Sequence, residues 1–190
     1  QVLRQFLQFA FFILLARILS PREFGLLGLV LVFSGVASIF SDIGFCAAII
    51  QRKQIEERHR SSVFWLNLLI GGVLAASFAI AAPLVALFYE EPQLVPLTRA
   101  VALTFLILPL RSTQVAILTR AMDFRSLAVA EVAGALLAGV LGVCLALTGF
   151  GVWSLVSQLL GQAFISAIVI WGLSDWRPKA EFELRAIRDL

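Results

Sequence analysis

The sequence predicts an all-α membrane protein of six transmembrane helices, and three observations predict it. Of its 190 residues, 61% are hydrophobic and only 14% are charged, where a soluble globular domain carries about 25% charge. Six apolar stretches, at about 3–19, 24–50, 62–88, 94–118, 127–148 and 150–173, are each long enough to approach or exceed the roughly 20 residues that cross a hydrocarbon core about 30 Å thick. The basic residues collect at every second joint. Eleven of the fifteen lie at the N-terminus, in the second and fourth joints, or in the tail after Ser174. By the positive-inside rule these places, and so both ends, are cytoplasmic. In lipid the backbone must satisfy its own hydrogen bonds, so the stretches are helices.

Taken in order, span one ends at Ser20-Pro21, a turn signal. Span two, 24–50, is long and must tilt or protrude. The joint 51–61 mixes both signs of charge and reads as a solvated loop or short surface helix; it holds His59, the only histidine. Span three, 62–88, carries Pro83 near its outer end. Span four, 94–118, carries Pro109, which should kink it and free the carbonyl of Phe105. Spans five and six, 127–148 and 150–173, are joined by Thr148-Gly149. Small residues at close-packing spacing recur, among them Gly71 with Gly72, Ala135 with Gly139, and Ala138 with Gly142, and let helices approach one another. The tail places Phe182, Ala186, Ile187 and Leu190 on one face of a helix, as in an amphipathic interfacial segment. The chain opens on Gln1 with its first span under way and closes on Leu190 without a stop signal, so it reads as part of a longer membrane protein.

The charges inside the spans need explaining, because each costs at least about 2.5–3.5 kcal/mol at mid-bilayer. At 1.5 Å per residue, Asp42, Arg111 and Glu131 lie about 12, 10 and 6 Å from the cytoplasmic ends of their spans. A constellation of the three is therefore geometrically open to them. Ser34, Ser38 and Asp42 fall on one face of span two; Ser154, Gln158, Gln162 and Ser166 fall on one face of span six. Asn67 adds an amide on span three, and Thr104, Ser112, Thr113 and Gln114 add polar groups on span four. These residues read as the lining of an aqueous cavity. The alternatives are that Arg111 snorkels to headgroups and that the serines bond their own helix carbonyls.

Several chemistries are absent from the sequence. It has no Gly-rich phosphate loop, nucleophile elbow or metal cluster, and so reads as a non-enzyme that needs no cofactor. Its two cysteines, Cys46 and Cys144, lie within spans and read as apolar filler. The net charge of +3 reads as topology and lipid contact rather than a nucleic-acid footprint.

A set of strings in this order then carries a resemblance: ARILSPREFG from Ala16, FSDIGF from Phe40, IQR from Ile50, FWLN from Phe64, FYEEP from Phe88, LTRAMDFR from Leu118, GFGVWSLV from Gly149 and WRP from Trp176. Together they resemble the N-terminal half of the polysaccharide exporters and lipid-linked oligosaccharide flippases, in the multidrug/oligosaccharidyl-lipid/polysaccharide exporter superfamily. The resemblance implies a lobe of six helices over 1–173, a cytoplasmic linker over 174–190, and a second lobe facing the first across a cavity. It implies export of an undecaprenyl-pyrophosphate-linked oligosaccharide across the bacterial inner membrane by alternating access, alongside polysaccharide assembly proteins. It matches Asp42 to the acidic residue of an Asp-x-Gly string, and Arg120 and Arg125 to a basic cytoplasmic joint. Arg52 and Lys53 would join them at the cavity mouth. The rival readings are a drug or organic-cation antiporter of the same superfamily, and a membrane scaffold without transport. The coupling ion and the sugar stay open.

Overall fold

A computed structural model describes residues 2–41 and 57–179, with the side chains of 2–35 and 59–179. Seven helical segments occur among them: α1 (Val2–Ile18), α2 (Pro21–Ser41), α3 (Glu57–Phe88), α4 (Leu94–Ala102), α5 (Thr104–Arg120), α6 (Phe124–Leu147) and α7 (Val152–Leu173). They make six rods, because α4 and α5 are separated only by Leu103, itself in right-handed helical conformation. Four of these rods, α3, α4 with α5, α6 and α7, are long and apolar enough to cross a membrane by length and composition.

Two boundaries differ from the sequence reading. Helix α3 already runs from Glu57, so His59 belongs to its first turn rather than to a loop. Span four is broken at Leu103, where the hydroxyl of Thr104 turns back to the Val101 carbonyl at 2.6 Å. A β-branched hydroxyl that bonds its own backbone competes with the helical ladder. Further on, the Pro109 ring removes the donor that the Phe105 carbonyl would otherwise receive. That carbonyl points at α3, where a Cβ on Gly71 would lie 2.2 Å from it. Only a residue without a side chain allows this approach.

The packing has two ends. Joints one, three and five meet at one: Arg22 bonds Glu91 at 2.8 Å, and Gly151 lies against Glu23. The main apolar core sits in this half, where Leu26, Val30, Phe78, Leu94, Leu97, Val101, Phe105 and Val156 are buried together. At the other end, α6 begins on an Asp123 cap. Its carboxylate accepts from the Ser126 amide at 3.1 Å and the Ser126 hydroxyl at 2.6 Å. The hydroxyl bond, then the amide bond, hold the Asp123 carboxyl below its ordinary range.

Helices α6 and α7 form the most extensive pair, and α1 also packs on α6. Ala130, Gly134, Ala138, Gly142 and Ala146 recur every fourth position of α6 and are buried, a small-residue ridge of the kind that lets membrane helices touch closely. Large side chains such as Phe6, Phe9, Ile80, Leu84 and Leu87 are exposed on the outer faces, as lipid contact requires.

The segment after α7 is not helical over 174–179, and its first residue, Ser174, is extended. The segment is strapped across α3 and α5. Gln114 donates to the Trp176 carbonyl at 3.1 Å, Trp65 to the Lys179 carbonyl at 2.9 Å, and the Lys179 amide to the Ser61 hydroxyl at 3.1 Å. Arg177 bonds the carbonyls of Trp171 and Ser174 at the end of α7 and sits over the Trp171 ring, where a cation favours a helix C-terminus. The amphipathic face proposed for Phe182 to Leu190 lies outside the described residues.

Candidate functional site

Three charged side chains from three helices converge in the half of the bundle opposite the main core. Arg4 of α1 donates through Nη1 to Glu131 Oε2 of α6 at 2.9 Å. Arg111 of α5 pairs through Nη2 with Oε1 of the same carboxylate. The side chains are 33%, 25% and 19% exposed for Arg4, Arg111 and Glu131, so the pairing is sheltered but reachable from solvent. Both guanidiniums keep a buried Nε without a hydrogen-bond partner among the described residues.

Each member is held by its own element. Arg111 lies inside α5, two residues past Pro109, and not beyond the helix end. The Trp171 indole of α7 donates to the adjacent Leu110 carbonyl at 2.8 Å, and the Ser112 hydroxyl to the Pro109 carbonyl at 3.2 Å. These bonds pin the backbone on either side of Arg111. One turn along α1 from Arg4, Gln8 donates to Gln162 Oε1 of α7 at 3.1 Å. Arg4 and Gln8 share a helix face by their spacing, so α1 carries a polar strip toward α5, α6 and α7.

The other sequence candidates fall differently. Gln158 and Asn67 are half-buried; Arg120, at the end of α5, is half-buried and Arg125 is exposed. Ser154 and Ser166, read as cavity lining, are buried against α6, where Gly142 and Gly134 approach them. Thr113 and Gln114 are also fully buried. Ser34 bonds its own Leu31 carbonyl at 3.0 Å, the local alternative for a serine on an apolar helix. Ser38, Asp42, Arg52 and Lys53 lie where no side chain is described, so the expected approach of Asp42 to Arg111 falls outside the described residues.

Arg4 was not singled out by sequence reasoning, which counted it as a topology charge at the N-terminus. The available signal was its i, i+4 relation to Gln8 on an otherwise apolar helix. Chemically, the cluster joins two fixed positive forks to one carboxylate. Among the described residues it therefore carries positive charge in excess, which suits an anion with several oxygens.

Comparison with known proteins adds to this geometry. A family described as polysaccharide biosynthesis protein matches residues 14–190. The succinoglycan biosynthesis transport protein ExoT of Rhizobium meliloti (strain 1021) is 32% identical over 177 residues, covering 92% of this chain and 35% of that protein. The teichuronic acid biosynthesis protein TuaB of Bacillus subtilis (strain 168) is 32% identical over 156 residues, covering 80% of this chain and 32% of that protein. The lipopolysaccharide biosynthesis protein WzxC of Escherichia coli (strain K12) is 29% identical over 179 residues, covering 91% and 36%. The chain thus spans about a third of the length of these curated relatives. No solved structure matches it significantly.

Proposed function

Because the chain belongs to the polysaccharide biosynthesis protein family, we propose that it forms one lobe of a transporter that flips a lipid-linked oligosaccharide across the bacterial inner membrane. The cargo is an undecaprenyl-pyrophosphate-linked repeat unit, and a second lobe faces this one across the cavity. Both ends of the segment are cytoplasmic on this reading. The observation that carries it is the convergence of Arg4 and Arg111 on Glu131 within an apolar bundle.

In this mechanism the guanidiniums receive the pyrophosphate, whose oxygens match their planar forks. Glu131 holds them apart from lipid and from each other before the anion arrives. Rocking of the two lobes about the loaded cavity carries the sugar across. A cation antiporter needs acidic groups in excess at its site, and the two arginines on one carboxylate favour the anion.

The test uses the full-length protein. Surface polysaccharide per unit of membrane-inserted protein should fall at least about tenfold in Arg111→Ala, the loss expected from one charge-assisted hydrogen bond. Arg111→Lys should restore only part. Unchanged export in both Arg111→Ala and Arg4→Ala would favour the scaffold reading, and loss of drug resistance with export intact would favour the antiporter.

A further inference from the structure

A second site lies at the opposite end of the bundle, where joints one, three and five meet. There a cleft of about 420 Å³ is lined by Arg22, Gln93, Phe150 and Trp153, with Leu26 and Leu97 among its apolar residues. Its volume falls in the range of about 300–1,000 Å³ typical of small-ligand sites. Leu94, at the start of α4, precedes Arg111 by 17 residues, so the cleft lies about 25 Å along the rod from the arginine cluster. The two sites are separate.

The chemistry of the cleft differs from that of the cluster. Arg22 is neutralised by Glu91 at 2.8 Å. Glu23 is occupied by its own turn, accepting from the Ser20 amide at 2.6 Å and the Ser20 hydroxyl at 2.9 Å. Glu23 keeps its negative charge, so the cleft repels an anion and offers a carboxylate that hydroxyl groups can donate to. The cleft also offers two aromatic side chains, Phe150 and Trp153, that are 56% and 40% exposed. Beside them stand planar polar groups able to donate and accept at once: the Gln93 amide and the rim of the Arg22–Glu91 pair. A ligand that fits has an apolar C–H face and a polar edge rich in donors and carries no negative charge. A sugar ring has both, with C–H bonds on its face and hydroxyls around its rim.

The wall is preformed. Gly149 and Gly151 have φ of +85° and +56°, values that side-chain-bearing residues rarely adopt. A Cβ on Gly151 would lie 2.4 Å from Glu23 Oε1. The loop that presents Phe150 and leads into the first turn of α7 with Trp153 is therefore seated directly on the fixed Glu23. Preorganised walls of this kind lower the ordering cost of binding.

We propose that this cleft binds a neutral sugar ring of the glycan, at the end of the molecule remote from Arg4, Arg111 and Glu131. It rests on the reading of a glycan cargo only for where that sugar comes from. On that reading it holds the glycan after the charged head has left the arginines.

The test is saturation-transfer NMR on the full-length protein in nanodiscs. The probe is the host's own surface polysaccharide cut by mild acid to lipid-free, phosphate-free oligosaccharide. Wild type should transfer saturation to the ring protons of the sugar. Trp153→Ala should weaken binding about tenfold or more, and Gln93→Ala about two- to tenfold, while Ile80→Ala, on the outer face of α3, leaves it unchanged. Should Trp153→Ala fail to reach the membrane, Phe150→Ala and Gln93→Ala, both at exposed positions, decide the matter. Absence of binding in wild type at millimolar sugar overturns the proposal, as does binding indifferent to these substitutions. If binding follows the cleft while export ignores Arg4 and Arg111, the cluster's role fails and the sugar site stands. If export needs the arginines but no sugar binds, the reverse holds.

Discussion

Arg4, Arg111 and Glu131 would each be costly alone in a lipid-surrounded bundle, and their pairing changes what a single substitution does. Removing Glu131 leaves two guanidiniums facing one another in a partly sheltered place. Breaking one partner of a fully buried pair costs about 3–5 kcal/mol. At 19–33% exposure, solvent reduces that to about 1–3 kcal/mol for Glu131→Gln. Adding Arg4→Gln to Glu131→Gln should recover part of the loss, because one positive charge then goes with the negative one. Thermal unfolding of the purified full-length protein in detergent would show it; a double variant no more stable than Glu131→Gln alone would mean that the charges do not interact. The depths of Arg111 and Glu131 were legible, since distance along a helix is fixed by residue count. The contribution of Arg4 was not, because helix packing decides whether an N-terminal arginine turns outward to headgroups or inward to a carboxylate.

At the scale of elements, apolar length located the rods well and their interruptions poorly. Pro109 announced a perturbed turn, but the break at Leu103 has no proline or glycine to mark it; what stands beside it is the Thr104 hydroxyl bonded to the Val101 carbonyl. Small residues announced close packing without telling which face is used. Gly71 and Gly72 look equivalent in sequence, yet a Cβ on Gly71 would strike the Phe105 carbonyl and the Pro109 ring at 2.2 and 2.6 Å, whereas one on Gly72 meets only Leu106 at 3.9 Å. Gly71→Ala should therefore push α3 from α5 and lower stability by about 1–3 kcal/mol, disturbing the turn that carries Arg111. Gly72→Ala should be neutral or slightly stabilising, as alanine is the better helix former. Comparing the two melting temperatures checks this; equal values would show that α3 and α5 do not meet at Gly71. The strap of 174–179 was likewise invisible, since a Trp-Arg-Pro string after a span reads as a linker until Gln114, Trp65 and Ser61 are seen to hold its backbone.

For the whole molecule, the alternation of joints is the organising fact. Arg22 with Glu91, and Gly151 beside Glu23, gather the odd joints at one end; Lys179 with Ser61 ties the tail to the start of α3 at the other. The orientation proposed above rests on the basic excess of the second end, read through the positive-inside rule. Orientation matters to the proposed mechanism. Glu131 lies seven residues into α6 and Arg111 nine residues before the end of α5, about 10 and 14 Å from the basic end at 1.5 Å per residue. If that end is cytoplasmic, the arginines meet a lipid-linked anion where it is assembled, and the sugar cleft faces outward. In a background with Cys46→Ser and Cys144→Ser, a membrane-impermeant maleimide added to intact spheroplasts should label Gln93→Cys at once. Met122→Cys, 73% exposed between α5 and α6, should label only after permeabilisation. The inverse pattern would place the arginines in the outer half, where a cytoplasmic anion could reach them only after crossing, and the cluster would have to act in release rather than capture.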